Sequence, residues 1–291
     1  MVRLFFKSVL ISSLLALLGV AAYAQQMAMP PSPKIKPGGP APKRDLTGTW
    51  EVYSFFEGIQ PNGGQNIFAD GKHEPPYTPA GLAAFKQNKP SNGTTEVGPG
   101  EENDPGHACD PLGMPRADLF EMRAVQLIHT PVQLVMLYQY DRLWRSIWTD
   151  GRALPKDPDP HWYGYSTGKW VDDYTFQIQT VGMDERTWLD NAGRPHSDET
   201  TMEETLHRID SDNLEISVTI TDPKFYSKPF LAMDKLKFHK VPAKTEMLEM
   251  MCVPSEYAAY NKKHANLGIT DRKSTRLNSS HIPLSRMPSS A

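Results

Sequence analysis

Residues 202–221, MEETLHRIDSDNLEISVTIT, decide the fold class of this chain. Their second half alternates strictly, with Leu214, Ile216, Val218 and Ile220 separated by polar residues. Because successive side chains of a strand point to opposite faces of a sheet, this period of two predicts a half-buried β-strand. The first half predicts a partner strand, and the Asp-Ser-Asp-Asn sequence between them predicts the turn of an antiparallel hairpin.

Similar patterns recur along the chain, and the predicted strands are joined locally. Local connections favour an antiparallel meander, and a long meander usually closes on itself because closure removes exposed strand edges. We therefore predict a mainly β protein, an antiparallel up-and-down (lipocalin-like) barrel, with a β-sandwich as the alternative. The other strands are predicted over residues 48–54, 124–129, 133–140, 142–149, 167–171, 174–181 and 231–239.

Helix signals are few, so one or two short peripheral helices are expected. Thr78 followed by Pro79 is a favourable N-cap with proline in the first turn, and predicts a helix that ends near Asn88. Ser255 can cap a second helix that ends near Lys263. Residues 89–119 are rich in turn-forming pairs and predict a long irregular loop that packs across one barrel end.

The N-terminal region carries the features of an export signal. Arg3 and Lys7 precede an apolar run that is shorter than the ~20 residues of a membrane-spanning helix. The small-x-small site at residues 22–24 follows this run. We predict a signal peptide over residues 1–24, a periplasmic or secreted protein, and no stable membrane anchor after cleavage. Residues 25–44, rich in Pro, Gly and Lys, predict a disordered linker before a single barrel domain at residues 45–270.

The C-terminal stretch is interpreted as foreign to the fold. Residues 271–281, DRKSTRLNSSH, are the in-frame translation of a common sequencing adapter, and residues 285–291, SRMPSSA, match the adapter stretch after the index. We therefore treat residues 271–291 as a translated adapter artefact and leave them out of all fold reasoning.

Charge narrows the range of partners. Without the signal peptide and the tail, 25 basic and 33 acidic side chains leave a net charge of about −8. An acidic domain has no electrostatic basis for binding phosphate backbones or anionic lipid. Nucleic acid is therefore not an expected partner. The partner that we predict is a small organic molecule.

Several motifs resemble known families. Gly48-Thr49-Trp50 resembles the G-x-W opening of lipocalin-type (calycin) barrels, in which the Trp plugs the closed barrel end. Longer segments resemble a widespread group of secreted bacterial proteins of unassigned function, and this resemblance covers nearly all of residues 45–261. It implies a lipocalin-like barrel and a plug role for Trp50, but no reaction and no ligand residues. The segments are PPYTPAG (75–81), CDPLGMPR (109–116), IWTDGRALPKDPDPHWYGYSTGKW (147–170), RTWLDNAGRPHSDE (186–199) and DPKFYSKPF (222–230).

The densest set of ionisable and aromatic residues is the interstrand loop 182–199, GMDERTWLDNAGRPHSDE. Long polar loops on a β scaffold commonly carry binding or catalytic groups. Asp190 and His196 could act as acid and base with Tyr163 or Tyr165 as proton donor, because a carboxylate can set the tautomer and pKa of a histidine. A buried network that only pins the loop would use the same residues, and we favour that interpretation.

A second candidate set is aromatic. In the predicted strand 142–149, a period of two puts Arg142, Trp144 and Trp148 on one face, with Arg145 and Ile147 on the other. Two Trp and an Arg suit a flat or anionic organic ligand through stacking and hydrogen bonding. Alternatively, the Trp side chains fill the core or cover the outside of the barrel. The candidate ligand-binding residues are Arg142, Trp144, Trp148, Tyr165, Arg186 and Trp188.

The remaining chemistry-bearing residues are two cysteines and the histidines. Export favours a disulfide between Cys109 and Cys252, with two buried thiols as the alternative. His161 and His196 lack metal-ligand spacing, and the chain contains no phosphate-loop, dinucleotide or nucleophile-elbow motif. No metal and no cofactor are predicted.

These observations rank three functions. The first is an exported small-molecule-binding protein, whose ligand is apolar or aromatic. The second is an enzyme on the same barrel that uses Asp190, His196 and a Tyr for hydrolysis or proton transfer. The third is a structural role for a barrel whose interior is filled by side chains. The first rank rests on fold class, which does not by itself carry function.

Overall fold

The computed structural model describes residues 35–52, 74–98, 100–119, 124–141 and 143–264. The predicted signal peptide, the first part of the predicted linker, the adapter-like tail and the candidate residue Arg142 lie outside the described residues.

Nine strands form one closed barrel. Each strand pairs with the next along the chain, and β1 pairs with β9 to close the ring. The structure therefore confirms the predicted barrel rather than a sandwich. The strands are β1 Gly48–Val52, β2 Val125–His129, β3 Gln133–Tyr138, β4 Trp144–Trp148, β5 Tyr165–Trp170, β6 Thr175–Val181, β7 Thr201–Arg208, β8 Asn213–Thr221 and β9 Phe230–Lys240.

One connection departs from a purely antiparallel meander. Strands β4 and β5 are parallel, with Ile147 opposite Ser166. In a ring of nine sequential strands, strict alternation would leave β1 and β9 pointing the same way, so one parallel pair makes their antiparallel closure possible. Residues 149–164 connect β4 to β5, and this connection is long enough to return the chain along the barrel, as parallel neighbours require.

The two ends of the barrel differ in their connections. The short turns after β2, β5 and β7 lie at one end, which we call the Trp50 end. The long connections after β6 and β8, residues 182–200 and 222–229, lie at the other, which we call the loop end.

Trp50 closes its end of the barrel. Its side chain is fully buried, and Nε1–H donates a 3.0 Å hydrogen bond to the Leu46 carbonyl. The Arg208 guanidinium lies over the ring, 4.5 Å from its centroid. This placement agrees with the plug role that the G-x-W resemblance implies.

Side chains fill the interior between the two ends. Buried positions alternate with more exposed ones along β3, β6, β7 and β8, and most of the buried side chains are apolar. The burial pattern of β8 follows the predicted alternation from Leu214 to Ile220. The other buried apolar side chains of this core include Leu127, Leu134, Met136, Ile147, Phe176, Ile178, Met202, Leu206 and Phe238.

The described part of the chain contains three short α-helices besides the barrel strands. Helix α1, Pro79–Gln87, begins at the predicted cap, where the Thr78 hydroxyl accepts a 3.1 Å hydrogen bond from Gly81 N–H. Helix α2 is Arg116–Leu119 and helix α3 is Pro254–His264, and a 3-10 helix spans Pro105–Ala108. None of the helices in the described ranges combines the length and apolarity needed to cross a bilayer.

Two segments cover the barrel ends. Residues 112–118, the plug segment, pack at the loop end with Met114, Ala117 and Asp118 buried. At the Trp50 end, the described part of the predicted linker is held against the β7–β8 turn. There Gly39 N–H donates to Ser211 Oγ at 2.7 Å, and Ser211 N–H donates to the Gly39 carbonyl at 3.0 Å.

Candidate functional site

The loop 182–199 is a packed structure rather than an open polar loop. Asp190 and Arg194 are fully buried, and their side chains form an ion pair. Arg194 also donates to Glu74 Oε1 at 3.0 Å, which links the loop to the segment before α1. Tyr226, after β8, donates to the Pro195 carbonyl. These bonds fix the loop against its neighbours.

His196 is held by a different set of partners. Its Nε2 lies 2.8 Å from Thr187 Oγ1, and its Nδ1 lies 3.1 Å from the Ser197 carbonyl. Burial lowers the pKa of His196 below its ordinary value, although the Ser197 carbonyl and the Asp222 carboxylate oppose the shift. The ring is therefore neutral at pH 7, with one nitrogen donating and the other accepting.

The three candidate acid–base residues have separate hydrogen-bond partners. Asp190 bonds to Arg194 and to the backbone N–H of Ala192, whereas His196 bonds to Thr187 and Ser197. Tyr163 is half-buried and hydrogen-bonds with the Leu112 backbone, and burial raises its pKa. Asp190 and His196 therefore share no hydrogen bond, and the acid–base role of the three residues stays a prediction.

Candidate ligand residues on β4 and β5 face the outside of the barrel. Trp144 is 64 % exposed, and the half-buried Trp148 carries the Arg152 guanidinium 3.4 Å from its ring centroid. Tyr165 stacks on His161, and its hydroxyl lies 2.9 Å from His161 Nε2. The inward face of β4 instead carries Arg145 and Ile147, so the Trp face does not line a cavity in the barrel.

The last two candidates, Arg186 and Trp188, both lie at the loop end, but they differ in exposure to solvent. Arg186 is largely exposed, forms an ion pair with Asp184, and lies over Trp162 at 4.2 Å from the ring centroid. Trp188 is only 5 % exposed, with the Arg116 guanidinium 5.8 Å from its ring centroid. Arg186 is accessible to solvent, whereas Trp188 serves the packing of the loop.

A buried polar cluster inside the barrel was missed by the sequence analysis. The Arg145 guanidinium donates to Glu204 Oε1 at 3.0 Å and to Oε2 at 2.6 Å. It also donates to Ser166 Oγ at 2.9 Å and Thr180 Oγ1 at 2.7 Å. Burial disfavours the charged form of Arg145, but the Glu204 carboxylate outweighs it and raises the pKa.

The plug segment adds a second carboxyl group to this cluster. Asp118 Oδ1 accepts a 2.6 Å hydrogen bond from the Tyr138 hydroxyl. Burial, together with the nearby Glu204 carboxylate, raises the pKa of Asp118 to about 8. Among the described atoms, Asp118 Oδ2 has no hydrogen-bond partner, and it is the oxygen on which a proton kept by Asp118 is expected.

The cluster is electrically balanced and shielded from solvent. Arg145 and Glu204 neutralise each other, Asp118 is protonated at neutral pH, and all three are almost fully buried. A signal for it exists in the sequence, because Arg145 and Glu204 occupy positions in the apolar phase of their strands. Charged residues are rarely fully buried unless they are paired, so such positions predict a partner inside the barrel.

An open groove lies at the Trp50 end. Its volume is about 610 Å³, and the described N-terminal segment forms one wall. Arg208 and Lys240, which flank the Trp50 ring, lie at its base. Sequence analysis missed this site because residues 35–44 were expected to be free. The lining residues are Pro40, Pro42, Arg208, Ser211, Asp212, Lys240, Val241, Pro242 and Ala243.

The two cysteines are bonded to each other, and the absence of a metal stays a prediction. Cys109 and Cys252 form a disulfide, with Cα atoms 5.5 Å apart, that joins the 3-10 helix to the stretch before α3. In the described ranges, no three His, Cys, Asp or Glu side chains converge in a group that could hold a metal ion.

Comparison with protein-family models, with curated proteins and with solved structures found no match for this chain.

Proposed function

We propose that the protein is an exported binding protein for a small organic molecule with an apolar or aromatic body, and that the ligand occupies the groove at the Trp50 end. The observation that carries the proposal is the groove itself. Its volume of about 610 Å³ falls within the roughly 300–1,000 Å³ of typical ligand pockets. Its walls combine apolar side chains with a few polar groups, which is the usual composition of such pockets.

The rest of the molecule favours this location over the barrel interior. Apolar side chains occupy the interior positions, and the interior polar cluster is already paired. The groove, in contrast, is open to solvent. Its proline-containing wall is fixed on one side by Gly39 and Ser211, and on the other by the bond from Arg44 N–H to the Asp173 carbonyl.

Export and a lipocalin-like ancestry are part of the proposal. The signal-like N-terminus and the G-x-W motif at Trp50 support them, and the nine-strand closed barrel is compatible with a calycin relationship. The disulfide between Cys109 and Cys252 is compatible with an oxidising compartment, where such bonds persist.

The test measures binding of a neutral aromatic probe to the purified protein. N-phenyl-1-naphthylamine becomes fluorescent in an apolar site, and native mass spectrometry of the exported protein detects any co-purified molecule. We expect the probe to bind with a micromolar Kd. We expect Ala243→Trp, which fills the groove with an indole, to weaken binding by at least about tenfold, or about 1.4 kcal/mol.

A matched variant separates blocking of the groove from a general effect of an added Trp. Ala83 is an exposed residue of α1, away from the groove lining, and Ala83→Trp should bind the probe like the unmodified protein. Binding that survives in Ala243→Trp, or absence of probe binding and of any co-purified molecule, would overturn the proposal.

A further inference from the structure

Two cations face the groove without a carboxylate partner. The Arg208 guanidinium donates three hydrogen bonds of 2.6–3.0 Å to the backbone carbonyls of Asp45, Asp210 and Ser211. Lys240 Nζ lies 5.7 Å from the centroid of the Trp50 ring. Within the described part of the chain, neither side chain has a carboxylate oxygen at ion-pair distance.

The position of Lys240 depends on Gly48, the first residue of the G-x-W motif. Gly48 has a φ of +150°, and a Cβ at this residue would lie 2.5 Å from Lys240 Cε. The Lys240 stem therefore crosses the space that a side chain at Gly48 would occupy, and this carries the ammonium group toward the groove. Glycine at this position serves the placement of a cation as well as the start of β1.

The carboxylates of Asp45 and Asp210 accept hydrogen bonds from backbone N–H groups rather than from these cations. Asp45 Oδ1 accepts from Thr47 N–H at 2.7 Å, and Asp210 Oδ1 accepts from Asp212 N–H at 2.8 Å. Burial lowers the pKa of Arg208 despite the opposing carboxylates of Asp45, Asp212 and Asp210. Arg208 is 2 % exposed, so its charge is largely desolvated. Asp212 also lines the groove, and its backbone carbonyl accepts a 2.8 Å hydrogen bond from Lys240 N–H.

We propose that the groove selects organic anions, with the apolar body of the ligand against the proline wall and its carboxylate, sulfonate or phosphate group at Lys240 and Arg208. This inference rests on the proposed function and adds the charge of the ligand to it. An anionic group gains a charge-assisted hydrogen bond from Lys240, and it offsets part of the desolvation of Arg208. A neutral ligand of the same shape gains neither.

The experiment compares two probes with the same aromatic skeleton. N-phenyl-1-naphthylamine is neutral, and 8-anilinonaphthalene-1-sulfonate carries a sulfonate. We expect the sulfonate probe to bind about tenfold more tightly at low salt, and we expect added salt to reduce this preference because screening weakens exposed charge interactions. Ala243→Trp should weaken the binding of both probes, which locates both in the groove.

The charge is then removed at one position. Lys240→Gln should weaken binding of the sulfonate probe about tenfold and change binding of the neutral probe by less than about twofold, since a charge-assisted bond is lost and the apolar contact remains. Lys237, on the same strand, is outside the groove lining, and Lys237→Gln should leave both affinities unchanged.

The two proposals fail in different ways. Equal affinities for the two probes, or a Lys240→Gln variant that keeps the sulfonate preference, would overturn the anion selectivity and leave the groove as a binding site for neutral molecules. If Ala243→Trp changes the binding of neither probe, the groove is not the binding site. Both the proposed site and its anion selectivity would then be overturned.

Discussion

The Tyr138 hydroxyl donates a 2.6 Å hydrogen bond to Asp118 Oδ1, and this bond ties the plug segment to strand β3 inside the barrel. Asp118 is fully buried and lies near the ion pair of Arg145 and Glu204. The plug is thus held by a carboxyl group that keeps its proton. The stability of the loop end consequently depends on pH.

Asp118→Asn should flatten the pH dependence of stability. The pKa of Asp118 is about 8 in the folded protein, against an ordinary value of 3.8. Between these values the folded state binds a proton that the unfolded state releases, so the free energy of unfolding falls as pH rises through this window. Asn keeps a donor toward Glu204 and cannot ionise.

Urea unfolding from pH 5 to pH 9 measures this effect. Over this range both proteins should lose stability. We expect the loss in free energy of unfolding to be smaller for Asp118→Asn than for the unmodified protein, by at least about 1 kcal/mol. The control is Asp159→Asn, because Asp159 is exposed and its substitution should leave the slope unchanged. Parallel pH profiles for Asp118→Asn and the unmodified protein would contradict a protonated Asp118.

Glu204→Gln should destabilise the barrel strongly. The substitution leaves the buried Arg145 guanidinium without its carboxylate, and breaking a buried ion pair from one side costs about 3–5 kcal/mol. Chemical denaturation measures the change. The neighbouring Glu203 points outward and is exposed, so Glu203→Gln should change stability by less than about 0.5 kcal/mol.

Replacing both members of this pair should recover much of the loss. In the Arg145→Met/Glu204→Leu double variant no unpaired charge remains in the barrel, and apolar replacements of buried ion pairs are often neutral or stabilising. A double variant no more stable than Glu204→Gln would argue that Ser166 and Thr180, both bonded to Arg145, need that partner.

Asp190→Asn should reveal a structural role for the candidate acid. Asp190 is the fully buried partner of Arg194, and loss of its charge should lower the free energy of unfolding by about 2–4 kcal/mol. Asp198, in the same loop, is 60 % exposed and pairs with Lys224, so Asp198→Asn should cost less than about 1 kcal/mol. Equal effects of the two substitutions would count against the pinning network.

Removal of the disulfide should lower stability by up to about 5 kcal/mol. The bond between Cys109 and Cys252 closes a loop with a sequence separation of 143, and the chain-entropy model relates the stabilisation to this length. Thermal unfolding of a Cys109→Ser/Cys252→Ser variant measures the loss. Reductant should lower the Tm of the unmodified protein to a similar value and leave that of the variant unchanged.

The strands could be predicted because their signals are local. The alternation of Leu214, Ile216, Val218 and Ile220 reappears as the buried face of β8. The helix that begins after Thr78 follows from its cap. The site was harder to predict for a physical reason. Which face of β4 points inward depends on its neighbours in the closed ring, and both faces of its sequence carry large or charged residues.

The pairings inside the candidate sites are long-range. Arg145 and Glu204 are 59 residues apart, and Arg194 and Glu74 are 120 residues apart. The sequence around each of these residues does not indicate which distant residue it pairs with. A charged residue in the apolar phase of a strand indicates only that a partner is needed. The sequence shows that the loop 182–199 is dense in polar groups. Its burial follows from contacts with the segments that flank α1, with the plug segment and with the β8–β9 connection.

The sequence by itself determined the mainly β character, the order of the strands, the first helix cap and the alternation that buries one face of each strand, because steric and hydrophobic preferences act between near neighbours. The tertiary structure alone decided the pairing of β1 with β9, the parallel contact of β4 with β5, the inward face of β4 and the groove beside Trp50. These features depend on closure of the ring and on burial of charges between distant strands. Their free energies arise only when the whole barrel has assembled.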